Sequence, residues 1–254
     1  MRGFVIAASA ATYIAAFVPS VPRAFLSNAL GALPAHLLGV FVKVLPALLL
    51  SAFPARARLG PRFSSYGALV SRALLLSALG DLLLDFCDRA ELGGEAAFLC
   101  GLGAFLLAHA LYCAGFLATV RQHAPSVALV LCAPSAIVLR FLAPHILAGK
   151  DAPLLPAVLV YVAVITCMLY LAAVREAHCA RGYWLTVGGA ALFLLSDAVL
   201  AWDKFAPPPL GANGRVRWWF RAPKVVVMCT YYAAQMMIAA GAAVEAPASE
   251  KKGE

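Results

Sequence analysis

Lys43, Arg72, Asp81, Asp85, His109, Asp197 and Lys224 stand within long apolar runs of the chain, and chemistry has to be sought there first. An ionisable group inside a bilayer is costly and normally faces the interior of a helix bundle or a polar cavity. Asp81 (in LLLSALGDLLLDF) and Asp197 (in ALFLLSDAVLAWDKF) are the sharpest candidates, each surrounded by leucine and alanine. Two carboxyl groups held near one another in an apolar setting ionise unequally, so that one acts as acid while the other acts as base. The competing reading is a pair of structural carboxylates neutralised by Lys43 or Arg72. Asp85 follows Asp81 by four residues and shares its helix face. Its place near the helix end points to headgroup water.

Further polar groups recur at helical spacing. His109 and Tyr112 in AHALY lie three residues apart. Tyr231, Tyr232 and Gln235 in TYYAAQ form a similar patch in the last apolar run. These groups suit a polar headgroup or a water molecule, or else interhelical hydrogen bonds worth about 1 kcal/mol each. Lys43, in FVKVLP, needs an anionic partner, and Asp81, Asp197 or a lipid phosphate would serve. A single intramembrane histidine and no HExxH leave a metal site without support, and no cofactor is expected. No serine-hydrolase elbow, P-loop or Rossmann glycine pattern occurs in a fitting context.

The elements that must position these side chains are apolar helices. The chain has 254 residues, 63% hydrophobic and 13% charged, with a mean hydropathy of +0.88. Soluble domains are about 45–50% apolar and about 25% charged. Spans are expected at 3–18, 34–53, 66–86, 96–119, 125–143, 154–174, 183–202 and 222–243, each near the roughly 20 residues that cross a bilayer. The fold class is therefore all-α, a polytopic bundle of about eight transmembrane helices. Residues 1–243 would form one domain, followed by a short polar tail, 244–254. The N-terminal run also has features of a signal peptide, but the spans that follow favour a first transmembrane helix.

The aspartates of the third and seventh spans hint at a four-plus-four repeat, which would be parallel. The net charge of +8 sits in short loops, which favours anionic headgroups over nucleic acid as its partner. Cys87, Cys100, Cys113, Cys132, Cys167, Cys179 and Cys229 contain no CxxC pair and read as small buried hydrophobes. Arg2, Arg56, Arg58, Arg62, Arg121, Arg175, Arg181, Lys251 and Lys252 outnumber the basic residues of the opposite side, which favours cytosolic termini. Lys204, Arg215, Arg217 and Arg221 in the long last loop, beside the Trp218–Trp219–Phe220 run, argue the other way. The terminal Lys-Lys-Gly-Glu resembles a cytosolic retrieval signal of the endoplasmic reticulum.

FVKVLP, SALGD, AHALYCAGF, GGAALFLLSDAVLAWDKF and MCTYYAAQMMIAAGA occur in that order. In sequence and spacing they resemble the lysoplasmalogenase (YhhN-like) transmembrane family, most closely its animal liver-type members. The resemblance runs from Lys43 to Ala243; the first span and the Pro207–Arg221 insertion match poorly. It implies a membrane hydrolase that cleaves the vinyl ether bond of lysoplasmalogens, releasing a fatty aldehyde and glycerophosphocholine or glycerophosphoethanolamine. It also implies a site drawn from Lys43, Asp81, His109, Tyr112, Asp197, Tyr231, Tyr232 and Gln235. Asp81 and Asp197 would be the catalytic pair, and the others would bind substrate or position water. The implied partners are a lysophospholipid, the bilayer and, as a homodimer, a second copy of the chain. A proton-coupled transporter, a non-catalytic lipid-binding or scaffold protein and a zinc-dependent lipid amidase remain the competing classes.

Overall fold

The computed structural model describes Asn28 and residues 32–56, 61–87, 94–120, 122–149, 151–177, 179–206 and 223–245. The expected first span, the Trp218–Trp219–Phe220 run and the Lys-Lys-Gly-Glu terminus lie outside the described residues. Among the described residues, seven α-helices follow one another: α1 (Ala32–Arg56), α2 (Pro61–Cys87), α3 (Gly94–Leu117), α4 (Pro125–Ala148), α5 (Leu155–Val174), α6 (Ala180–Phe205) and α7 (Pro223–Val244). Each is long and apolar enough to cross a membrane. A helix is the open-chain solution in lipid, because its backbone groups pair within the segment. The protein is an all-α, multi-pass integral membrane protein, as composition and span length lead one to expect.

Contacts along the chain show that successive helices run antiparallel. Lys43 of α1 meets Asp85 of α2, while Ser71 of α2 bonds to Ser51 of α1. Small residues let the backbones approach. A Cβ on Gly80 of α2 would lie 2.6 Å from the Phe105 ring of α3, and one on Gly189 of α6 would lie 2.9 Å from the Ala234 carbonyl oxygen of α7. Ser135 of α4 bonds to Thr166 of α5 at 2.6 Å. α3 and α5 run parallel, with His109 beside Tyr161 and Cys113 beside Val164.

Two consequences matter for the site. The ends 87/94, 148/155 and 205/223 lie on one side of the bundle, and the end of α7 at Val244 lies on the other. The main core, with Tyr66, Tyr112, Phe116, Phe193 and Ile238 fully buried, draws on every helix except α4. α4 packs on α5 and α6 and is the least buried of the seven.

Two expectations are corrected. Among the described cysteines, Cys100, Cys132, Cys167 and Cys229 lie on the outer surface of the bundle rather than in its core. A thiol facing acyl chains is as well solvated as one in a protein interior, so apolar surroundings did not imply burial. Arg175, counted above as a loop charge, is buried. It donates to Glu245 at 2.7 Å, Thr186 at 3.0 Å and the Gly182 carbonyl at 3.1 Å.

Candidate active site

A cavity of about 770 Å³ occupies the half of the bundle on the side of the 87/94 and 205/223 ends. α4, α5 and α6 supply apolar walls, including Leu139, Leu142, Val162 and Leu195. Its polar lining includes Lys43, Asp81, Asp85, Tyr161, Asp197 and Tyr231. Both aspartates singled out in the sequence therefore face one chamber, from α2 and α6.

Each carboxyl has its own set of partners. The Tyr231 hydroxyl donates to Asp81 Oδ2 at 2.6 Å. The Lys43 ammonium lies 3.7 Å from Asp81 Oδ1 and 3.2 Å from Asp85 Oδ1, and also donates to the Asp81 carbonyl at 3.3 Å. On the other side, the Tyr161 hydroxyl donates to Asp197 Oδ2 at 2.6 Å. His109 Nε2 is 3.0 Å from the Tyr161 oxygen and 3.4 Å from Asp197 Oδ2. His109 Nδ1 has no hydrogen-bond partner among the described residues. With two oxygens facing Nε2, that nitrogen carries the proton.

An aromatic cluster stands with the two sets. Phe193 packs edge-on to His109 at 4.6 Å and to Tyr231 at 5.5 Å, and Phe105 to Tyr231 at 6.0 Å. It ties the residue that holds Asp81 to the residue beside Asp197. Asp81 and Asp197 make no direct hydrogen bond to each other.

The remaining expected site residues lie behind the chamber. Tyr112 donates to Gln235 Oε1 at 2.7 Å, with both residues fully buried. The Tyr232 hydroxyl donates to the Lys43 carbonyl at 3.0 Å, fixing α7 to α1 beside the ammonium. Arg72, named as a possible neutralising cation, points outward instead. Asp85, expected at headgroup water, turns inward to Lys43; one turn beyond Asp81, it shares the same cation. Sequence reasoning missed Tyr161 altogether. The only signal was one phenol in the otherwise apolar run LPAVLVYVAVI.

No three His, Cys, Asp or Glu side chains gather as a metal-ligand set among the described residues. The arrangement offers proton donors and acceptors lodged at the polar end of an apolar chamber.

Residues 38–242 match the YhhN family model, a span that includes every side chain of the candidate site. The chain belongs to the YhhN family. Among relatives of this YhhN protein, lysoplasmalogenase TMEM86B of pig (Sus scrofa) is 36% identical over 200 residues, which are 79% of this chain and 73% of the pig protein. A lysoplasmalogenase of Mycobacterium bovis is 35% identical over 174 residues, 66% of this chain and 58% of that protein. Bovine (Bos taurus) lysoplasmalogenase TMEM86A is 28% identical over 235 residues, 91% of this chain and 83% of its own. No solved structure matches this YhhN chain.

Proposed function

We propose that this protein is a lysoplasmalogenase, a membrane enzyme that hydrolyses the vinyl ether of a lysoplasmalogen to a fatty aldehyde and a glycerophospho-alcohol. The names borne by animal and mycobacterial relatives support the activity. The observation that carries the mechanism is that one apolar chamber is lined by both Asp81 and Asp197. A long alkenyl chain needs such walls, and its reacting end needs acid, base and water.

A vinyl ether is hydrolysed by protonation of its β-carbon, which leaves an oxocarbenium ion at the α-carbon. Water adds to that carbon and loses a proton, and the hemiacetal then breaks its bond to the glycerol oxygen. One carboxyl supplies the first proton. The other, ionised, stabilises the cation and takes the proton from water. As the hemiacetal breaks, the second carboxyl gives that proton to the departing glycerol oxygen and the first carboxyl takes the proton of the hemiacetal hydroxyl, so each returns to its starting state. This chemistry is complete with carboxyls and water. Tyr161 and His109 hold Asp197 at the chamber wall, and Tyr231 and Lys43 hold Asp81. Tyr112, Tyr232 and Gln235 act from behind by fixing α3, α7 and α1. The endoplasmic reticulum membrane, with cytosolic termini, is the proposed location in a eukaryotic cell, and a homodimer is the proposed assembly.

The test compares purified protein on a lysoplasmalogen and on its saturated ether analogue, scoring aldehyde. The wild type should act on the vinyl ether alone. Asp81→Asn and Asp197→Asn should each lower turnover by about three orders of magnitude, the scale of a lost acid or base, with unchanged thermal unfolding in detergent. Wild-type turnover in either variant rejects the pair.

A further inference from the structure

Two cations of the cavity wall play no part in this chemistry. Lys204, near the end of α6, and Lys224, near the start of α7, both line the chamber. Asp203 lines it too, which leaves this end with an excess of positive charge. Lys204 Nζ sits 4.6 Å above the Phe98 ring of α3, which holds the ammonium at the chamber.

Their register relative to the carboxyls is regular. Lys204 follows Asp197 by seven residues, and Lys224 precedes Tyr231, the partner of Asp81, by seven. Seven residues are close to two helical turns, so each lysine shares a helix face with the group it is paired to. It stands roughly 10 Å nearer the membrane face. α6 and α7 are antiparallel, since Ser196 bonds to the Val227 carbonyl and Thr186 lies beside Gly241. Both offsets therefore point the same way.

A lysoplasmalogen has its own fixed spacing. From the vinyl β-carbon to phosphorus there are seven bonds, an extended length of roughly 9 Å at ordinary bond lengths. A substrate with its double bond between the carboxyls would bring its phosphate level with the two lysines. The geometry points to Lys204 and Lys224 as the phosphate subsite, which selects phosphate-bearing vinyl ethers over neutral alkenylglycerols. This assignment rests on the hydrolase reading above. It moves the phosphate away from Lys43, whose ammonium is held by Asp81 and Asp85.

The same phosphodiester chemistry is offered by bilayer headgroups, so the test is run in a non-ionic detergent without phospholipid. Inhibition of vinyl ether hydrolysis is measured with a saturated ether lysophosphocholine and with the matching alkylglycerol. Lys204→Gln, Lys224→Gln and their combination are compared with the two Lys→Arg variants. In the double Gln variant the inhibition constant for the phosphate-bearing analogue should rise at least ten-fold, while that for the alkylglycerol stays unchanged. The arginines should restore it. An unchanged constant for the phosphate-bearing analogue overturns the subsite, and so does an equal rise for both. Wild-type protein inactive on the vinyl ether would instead remove the hydrolase reading, and the subsite with it.

Discussion

Tyr161→Phe tests the site at its least expected member. The change removes one oxygen and keeps the ring that packs on His109 at 5.3 Å. The lost hydroxyl is the shortest hydrogen-bond donor to Asp197, at 2.6 Å, and it also faces His109 Nε2 at 3.0 Å. Because the phenol donates to the carboxyl, its own oxygen is free to accept from His109. The three groups form a chain that ends on Asp197, one of the two carboxyls proposed for catalysis. Without the phenol, Asp197 keeps only His109, at 3.4 Å. A hydrogen bond to a charged group is worth about 1.5–3 kcal/mol. If that full amount bears on the transition state, turnover falls roughly 10- to 150-fold. The loss should appear in kcat rather than KM, because Tyr161 holds the carboxyl and not the headgroup. The assay is aldehyde release from a lysoplasmalogen in detergent, with thermal unfolding as the control for folding. Combining Tyr161→Phe with His109→Gln should cost less than the product of the single effects, since both act through one carboxyl. Wild-type kcat in Tyr161→Phe, or strictly multiplicative effects in the double variant, would refute the chain.

The remaining predictions concern the frame and the side of the membrane. Glu245→Gln should destabilise the protein by about 3–5 kcal/mol, because it strips the counter-charge from buried Arg175; this should lower Tm in detergent while turnover per folded molecule stays near wild type. In sealed proteoliposomes of one orientation, the glycerophospho-product should appear on the face opposite the end of α7 at Val244, because the chamber lies on the side of the 205/223 ends. Product released on the Val244 face contradicts that reading.

The parts of this fold that could be read beforehand are those where lipid penalises the alternative. Seven expected spans became helices because an unpaired backbone has no place in hydrocarbon. Asp81 and Asp197 stood out because a carboxyl in a leucine-rich run has to be explained. Tyr161 did not, because a phenol in an apolar helix is unremarkable until its partner is known. The Lys43–Asp85 pair depends on how far α1 slides along α2, a register that residue spacing within either helix does not reveal. Arg175 and Glu245, separated by 70 residues, looked like a loop charge and a tail charge. Only the packing of α6 against α7, close enough for Gly189 to meet the Ala234 carbonyl, brings their neighbours Gly182 and Thr186 between them.

The division of the bundle explains how a site with buried charges can receive a lipid. Asp81, Tyr231, Lys43 and His109 lie on the well-packed helices, where Tyr112, Phe193 and Ile238 are fully buried. These groups are costly to bury and need fixed partners. The opposite wall belongs largely to α4, which carries Pro134 and Pro144 inside the helix. It is held by Ser135–Thr166, by Leu131 against the main core, by the Ala124 N–H donating to Tyr170 and by a small apolar cluster of Leu142, Ile146 and Val158 with Trp202 and Phe205. That wall of the chamber is apolar and belongs to the least buried helix, so parting it costs mainly apolar contacts, whereas parting α2 from α7 would separate Asp81 from Tyr231. The chain thus places its densest contacts where charge must be held, and its sparsest at the apolar wall.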